Sequence, residues 1–324
     1  MKAIAQYEFG PPDILELKEI EKPVVKDDEV LVRVRAASPN PWDWHFMRGM
    51  PLISRPQAGW RKPKNIVLGS DMAEEVESVG KDVTRFHPGD GVFGFVGHGG
   101  FAEYASVPQD VLGLKPADLS FEQAATVPLA AMTALQGLRD QGRVQPGEKV
   151  LIIGASGGVG TFAVQIAKWL GAEVTGVCST RNLELVESIG ADHVIDYTKE
   201  DFTRVSEKYD LIFQLAGQAS ASDLRRALTP KGRLVLSSGD SSGRFIGPVD
   251  RVIKAALLNL FVSQSLRPLQ FKRSSEDLQL LGELIQAGKV TPVIDRTYSL
   301  SDAADAVRYI ETGRARGKVV IAVE

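Results

Sequence analysis

One cysteine, Cys178, in 324 residues excludes an intrachain disulfide framework and any zinc site built from several thiolates. Histidine is nearly as scarce: His45, His87, His98 and His193 are scattered rather than spaced as a ligand set. No stretch approaches the ~20 apolar residues that a membrane-spanning helix needs, so no membrane partner is expected. Basic residues are not in excess: 38 Lys and Arg against 41 Asp and Glu leave a formal net charge of −3, which gives no basis for nucleic-acid binding. Residues 1–8 lack the long apolar core of a secretory signal. These absences point to a cytoplasmic, reducing compartment. What is present is an ordinary globular composition, 44% hydrophobic and 24% charged. The length exceeds what one core usually organises and predicts two domains.

Up to about residue 120, Gly and Pro punctuate short β-branched runs. Residues 29–36 alternate polar and apolar as a half-buried strand should, and 76–80 and 91–96 read as further strands. Many short strands with little helix predict a partly open barrel. Residues 51–64, rich in Pro, Arg and Lys, read as a surface loop. The texture changes at Ser120-Phe121-Glu122-Gln123, a capping box opening an Ala-rich helical stretch interrupted at Pro128.

Strands and helices then alternate. Strands are expected at 149–153, 173–177, 193–196, 210–213 and 233–236, and helices at 157–170 and 183–189. Phe162, Ala163, Ile166 and Leu170 fall on one stripe of the first helix. This order predicts a parallel sheet wound with right-handed crossovers. Helices follow from Ser274 to Gly288 and from Ser301-Asp302 to about Gly313. The closing strand, 318–323, needs a partner, and the N-terminal β-rich region is the simplest. The fold class is therefore α/β: a mostly-β domain from residues 1–123 and 266–324, with a doubly wound parallel-sheet domain, 124–265, inserted in it.

The strongest motif is Val150-Leu151-Ile152-Ile153-Gly154-Ala155-Ser156-Gly157-Gly158-Val159-Gly160, a buried strand running through a glycine turn into a helix start. Such glycines let the backbone approach a pyrophosphate, whose charge is favoured by the helix N–H groups and dipole. An NAD enzyme places an acid at the end of the second strand to bond the ribose 2′-OH. Here that place reads Gly176-Val177-Cys178-Ser179-Thr180-Arg181-Asn182, with no acid. Hydroxyls and a guanidinium suit a 2′-phosphate instead, which predicts NADPH. Tyr197, after the third strand, is placed to reach the adenosine end.

The sequence resembles the medium-chain dehydrogenase/reductase superfamily, in its zinc-independent quinone oxidoreductase branch, over essentially the whole chain. The marks are Asn40-Pro41-Trp42-Asp43, Gly69-Ser70-Asp71 before a Val-rich strand, and Phe86-His87-Pro88-Gly89-Asp90-Gly91-Val92-Phe93-Gly94. Further on come Gly100-Phe101-Ala102-Glu103-Tyr104, Val127-Pro128-Leu129-Ala130-Ala131-Met132-Thr133-Ala134, and the glycine turn. The resemblance implies a GroES-like catalytic domain, an inserted Rossmann domain, and a cleft between them for the nicotinamide. It implies that Ser179, Arg181 and Tyr197 hold the 2′-phosphate, that Ser156, Gly157, Gly158, Val159 and Gly160 cradle the pyrophosphate, and that Thr133 lies beside the nicotinamide. Gly217 and Gly239, each ending a sheet strand, would let the cofactor pass close to the backbone.

The departures are informative. Zinc-dependent relatives carry a Cys near Asn40, a His-Glu pair where this chain has Ser70-Asp71, and a second Cys where Leu129 stands. No metal site is therefore expected. Without a metal Lewis acid, quinones and α,β-unsaturated carbonyls are the easier acceptors, because conjugation spreads the arriving charge. Asn40, Asp43 and His45 are the candidates near the acceptor. His45 stands where several quinone oxidoreductases have a Tyr, either to donate to substrate oxygen or to pack between Trp44 and Phe46. Asp43 orders its loop or exchanges protons, and Trp42 and Trp44 line an aromatic slot or pack half-buried. The segment 244–269 reads as a sheet-edge, cleft-lining element where relatives often dimerise, or as an amphipathic anchor. The expected function is NADPH-dependent reduction of a quinone or enone. An alcohol or aldehyde dehydrogenase and a non-catalytic cofactor-binding protein are the alternatives.

Overall fold

In the computed structural model, residues 1–237 and 249–323 are described. The chain divides into two compact units. One comprises Met1–Leu129, Arg273–Ala287 and the segment from Pro292 onward, and the other comprises Ala130–Lys272 and Gly288–Thr291. The divisions fall at Leu129/Ala130 and Lys272/Arg273 rather than at 123/124 and 265/266.

In the first unit, ten-residue strand Glu29–Ser38 is the hub. It pairs antiparallel with Asp71–Val79, with Tyr104–Pro108 and with the closing strand Lys318–Ala322. The last pairing, Ile321 opposite Ala37, joins the two ends of the chain into one domain. Gly91–Phe95 and Leu112–Leu114 extend the sheet on one side. On the other lies Ile294–Ser299, a parallel edge strand that alternation does not reveal because its residues are half-buried or exposed. Val30, Val32, Val34, Met72, Val76, Val92 and Ile321 join one apolar core. Residues 51–64 are mostly surface but include short helical turns at Leu52–Ser54 and Arg55–Ala58.

The second unit is a six-stranded sheet, parallel throughout. Its order is His193–Asp196, Glu173–Cys178, Lys149–Ile153, Tyr209–Gln214, Leu228–Leu236, Ser265–Pro268. Sequence order reverses between Lys149–Ile153 and Tyr209–Gln214, and in open α/β sheets the ligand crevice opens at such a switch point. Ser265–Pro268 is an edge strand among the described residues, and residues 244–248 of the 244–269 segment lie outside them. The helix Gly158–Trp169 is buried all round from Gly160 to Ala167, not along one stripe, and Leu170 at its end is only half-buried. The reason is the return segment: Gln165 Nε2 donates to the Thr291 carbonyl at 3.0 Å, and Thr291 N–H donates to Gln165 Oε1 at 2.7 Å. Burying Phe162 completely contributes roughly 1.5–3 kcal/mol.

The Ser120 capping box forms as predicted, with Ser120 Oγ accepting from Gln123 N–H and Gln123 Oε1 from Ser120 N–H. The helical stretch breaks into Phe121–Ala125 and Pro128–Leu135 because Pro128 has no N–H to continue the first and is preset to begin the second.

Candidate functional site

The glycine turn leaves strand Lys149–Ile153 at the switch point. Gly154 adopts φ +86°, and a Cβ at Gly160 would lie 2.1 Å from the Gly154 carbonyl oxygen. Both positions demand glycine, the first for the turn and the second for close helix–strand packing. Gly157 is the N-cap, so the N–H groups of Gly158, Val159 and Gly160 open the helix without intrahelical acceptors. Among the described residues beyond its own chain neighbours and helix backbone, a Cβ at Gly157 would come within 4 Å of the Gly154 carbonyl oxygen alone, at 3.4 Å. Gly217, beyond the end of Tyr209–Gln214, has φ +79° and, among the described residues, nothing within 4 Å of where a Cβ would stand. Both places give backbone that a pyrophosphate can approach. Gly239 lies outside the described residues.

At the end of Glu173–Cys178 the hydroxyl set is assembled by a residue that sequence reasoning passes over. Asn182, buried, donates from Nδ2 to Ser156 Oγ at 2.9 Å and to Ser179 Oγ at 3.3 Å. Its Oδ1 is buried with no hydrogen-bond partner among the described residues. Ser156, Ser179 and the Arg181 turn, Thr180–Asn182, are thus brought to one place. Tyr197, 56% exposed, is tied there by its N–H to the Cys178 carbonyl at 3.1 Å. Asp196, on the neighbouring strand, has its carboxylate engaged by hydroxyls. It accepts from Thr180 Oγ1 at 2.5 Å and Thr198 Oγ1 at 2.7 Å, and the Thr180 bond in particular lowers its pKa to about 2. Cys178 is a bystander: burial raises its thiol to about 11, which leaves it protonated and unreactive at neutral pH. Thr133, nearly buried, sits on Pro128–Leu135.

In the first unit Asn40 and Asp43 begin the helix Pro41–Arg48, which the apolar pattern of the sequence does not announce. Asp43 Oδ2 accepts from Asn40 N–H at 2.8 Å and Ser70 Oγ at 2.8 Å, and Oδ1 accepts from Gly69 N–H at 3.1 Å. Asn40 Nδ2 donates to Asp71 Oδ2 at 2.9 Å and to Ser38 O and Ser70 Oγ at 3.1 Å each. Its Oδ1 accepts from Lys318 Nζ. Asp71 also accepts from Leu129 N–H at 3.0 Å and stands 3.6 Å from the Lys318 ammonium. All these side chains are buried. Burial is the dominant influence on each charge: it raises Asp43 to about 6 and Asp71 to about 7, and lowers Lys318, while Lys318 and the carboxylates partly offset it for one another.

His45 lies half-buried on the same helix, its ring 3.7 Å from that of Trp44, with Nδ1 2.9 Å from the Met50 carbonyl oxygen. Burial lowers its pKa. A neutral ring that donates Nδ1–H to Met50 presents a lone pair, not a proton, at Nε2. Trp42 and Trp44 are half-buried, and Trp42 stacks on Phe46 at 4.7 Å. Arg48 closes the helix with a two-pronged bond to Glu311 at 2.5 and 3.0 Å.

Whether zinc fits is decided by the donors themselves. Asn40, Ser70-Asp71 and Leu129, at or near the places where the resemblance puts the ligands of zinc-dependent relatives, already satisfy one another. Among the described residues no group of three or more His, Cys, Asp or Glu is placed to hold a metal ion. The donor set does not fit zinc.

A glycine turn at the switch point of a six-stranded parallel sheet, joined to a mostly-β domain, defines a dinucleotide-dependent oxidoreductase. Residues 26–117 match the alcohol dehydrogenase GroES-like domain, and residues 189–321 match a zinc-binding dehydrogenase domain. A 2-methylene-furan-3-one reductase of Solanum lycopersicum is 34% identical, covering 99% of this chain and 79% of that protein. An NADPH-dependent alkenal/one oxidoreductase, chloroplastic, of Arabidopsis thaliana is 33% identical over the same shares. The Escherichia coli quinone oxidoreductase complexed with NADPH superposes with a TM-score of 0.86 at 25% identity, covering 99% of this chain and 100% of that one. The chain belongs to the medium-chain dehydrogenase/reductase superfamily, in its quinone oxidoreductase-like branch.

Proposed function

We propose that this protein reduces quinones or α,β-unsaturated carbonyls with NADPH and without a metal ion. The observation that carries the reading is the hydroxyl cradle Ser156–Asn182–Ser179 beside the glycine turn, with Arg181 on the same turn and no acid in the sequence of residues 176–182. The orphaned Asn182 Oδ1 and the open backbone at Gly157 and Gly217 fit a dinucleotide that completes the site. The relatives named for alkenal, furanone and quinone reduction support the acceptor class.

NADPH, when bound, supplies the hydride. The glycine-turn N–H groups are assigned to the pyrophosphate, and Ser179, Arg181 and Tyr197 to the 2′-phosphate. Asn40 and Asp43, with their polar atoms engaged internally, serve by fixing the Pro41–Arg48 helix rather than by proton exchange. That helix presents Trp42 and His45, three residues apart on one face, as the candidate acceptor-side groups, while Trp44 packs against the apolar core. Conjugated acceptors delocalise the incoming charge, so orientation by such a wall replaces much of what a Lewis acid supplies elsewhere.

Dialysis against a chelator should leave NADPH oxidation unchanged with a panel of quinones and enones. NADH should be the poorer donor by roughly tenfold or more. Chelator-sensitive turnover confined to alcohols would make the protein a dehydrogenase. Bound NADPH with no turnover anywhere would make it a non-catalytic binder.

A homodimer is the proposed assembly. Among the described residues Ser265–Pro268 is an open sheet edge, and Ile253, Leu257, Leu260 and Phe261 on the preceding helix and turn are 51–84% exposed. Such a patch next to unpaired strand groups favours a second copy. Sedimentation should show a dimer that Leu260→Asp with Phe261→Asp converts to monomer; a native monomer refutes it. No described helix is long and apolar enough to cross a membrane. A cytoplasmic location remains the reading of a chain whose one cysteine is a buried thiol, and fractionation into an organelle, as the chloroplastic relative's name implies for that protein, would replace it.

A further inference from the structure

We propose that Lys318 is a positioning residue, the fixed cation around which Asn40, Asp71 and Asp43 organise the start of the acceptor-side helix. The inference rests on the function proposed above and extends it to the last strand of the chain. Two carboxylates, Asp43 and Asp71, are buried at 1% and 0% exposure, and Lys318 at 4%. Among the described residues Lys318 is the one ammonium in direct contact with this cluster: it donates to Asn40 Oδ1 and stands 3.6 Å from Asp71 Oδ2. Unpaired charges in such a place are strongly unfavourable, whereas a pair with its remaining lone pairs satisfied is tolerated.

The arrangement is directional. With its Oδ1 held by Lys318, the Asn40 amide has only its Nδ2 hydrogens left, and they go to Asp71, Ser70 and Ser38. That fixes the residue immediately before Pro41, and so the register of Trp42, Trp44 and His45. Lys318 itself begins strand Lys318–Ala322, and Val319 beside it accepts from Ser38 Oγ at 2.7 Å. The ammonium therefore rests on a rigid sheet, not on a loop. A displacement near 1 Å of groups that orient a substrate is enough to cost ~100-fold in rate.

The test compares Lys318→Met, Asp71→Asn and the double variant by thermal unfolding, NADPH affinity and turnover. Lys318→Met should lower Tm by roughly 6–10 °C and kcat by at least about tenfold, with the NADPH Kd within about twofold of native. The double variant removes the carboxylate that stood 3.6 Å from the lost ammonium, and the amide that Asp71→Asn introduces can return the bond that Asn40 Oδ1 loses. It should recover at least half of the thermal loss and raise kcat at least about threefold above Lys318→Met, by roughly the margin expected of a coupled pair. A native kcat in Lys318→Met overturns the proposal, as does a double variant no better than the single one. If Lys318→Met does not fold, the double variant decides: folded and turning over it sustains the proposal, while unfolded or inactive it overturns it. Should the native protein turn over no quinone or enone, the proposed function fails, yet the thermal cycle still reads the coupling of Lys318 to Asp71.

Discussion

Replacing Arg181 with alanine should weaken NADPH binding by roughly 10–100-fold while changing NADH by less than about twofold. The two cofactors differ only in the 2′-phosphate, so a group that meets that phosphate separates them and a group that merely holds the fold does not. Arg181 is exposed and sits on the turn whose next residue, Asn182, bridges Ser156 and Ser179. The guanidinium is thereby placed at the end of the second strand, where a carboxylate would select NAD. A charge-assisted bond contributes about 1.5–3 kcal/mol, which sets the upper range; exposure and salt reduce it. The NADPH-to-NADH ratio should accordingly shrink as ionic strength rises in the native protein and be nearly salt-independent in Arg181→Ala. Fluorescence titration of both cofactors at two salt concentrations reads all four quantities. Equal losses for NADPH and NADH would remove Arg181 from the phosphate site.

The parts of this site that are legible from sequence are those whose physics is local. The glycine turn is one contiguous segment, its strand and helix announce themselves by apolar runs, and the missing acid lies in the very next strand. The Asn40-Pro41 pair with Asp43 also carries a local signal, an N-cap with Pro at N1 and an acid at N3, yet those residues invite a chemical reading before a helical one. Lys318 and Asn182 are invisible for a different reason. A lysine opening a strand is ordinarily solvated, and nothing in its neighbours tells that Asn40, 278 positions away, will claim it. Asn182 likewise reads as a turn residue until Ser156, 26 positions earlier, is seen to face it. Ile294–Ser299 escapes notice because a partly exposed edge strand needs no apolar alternation.

Glu74 is the residue least predictable from pattern, and its replacement should stabilise the protein. On strand Asp71–Val79 it shares a face with Met72 and Val76, both members of the apolar core, and it is fully buried. Neither carboxyl oxygen has a hydrogen-bond partner among the described residues. Burial alone pushes its pKa well above the ordinary 4.5, so the folded state keeps the proton. Glu74→Met, similar in volume and without polar atoms, should gain about 2–3 kcal/mol at neutral pH, or roughly 4–8 °C in Tm. The sign of the pH dependence follows from the raised value. Below about pH 4.5 both folded and unfolded chains hold the proton and the native state loses nothing to it. As pH rises toward the folded pKa, the unfolded chain ionises first, and stability falls by about 1.4 kcal/mol per unit. Asp43 and Asp71, raised to about 6 and about 7, act in the same sense, and Lys318, lowered, in the opposite one. All three persist in the variant, so the difference between native and Glu74→Met isolates the one carboxyl. That difference should widen as pH rises above about 4.5 in parallel urea titrations. A constant difference would mean that Glu74 finds a partner for its charge, and a loss of stability in Glu74→Met would mean that its carboxyl is satisfied in the folded protein after all.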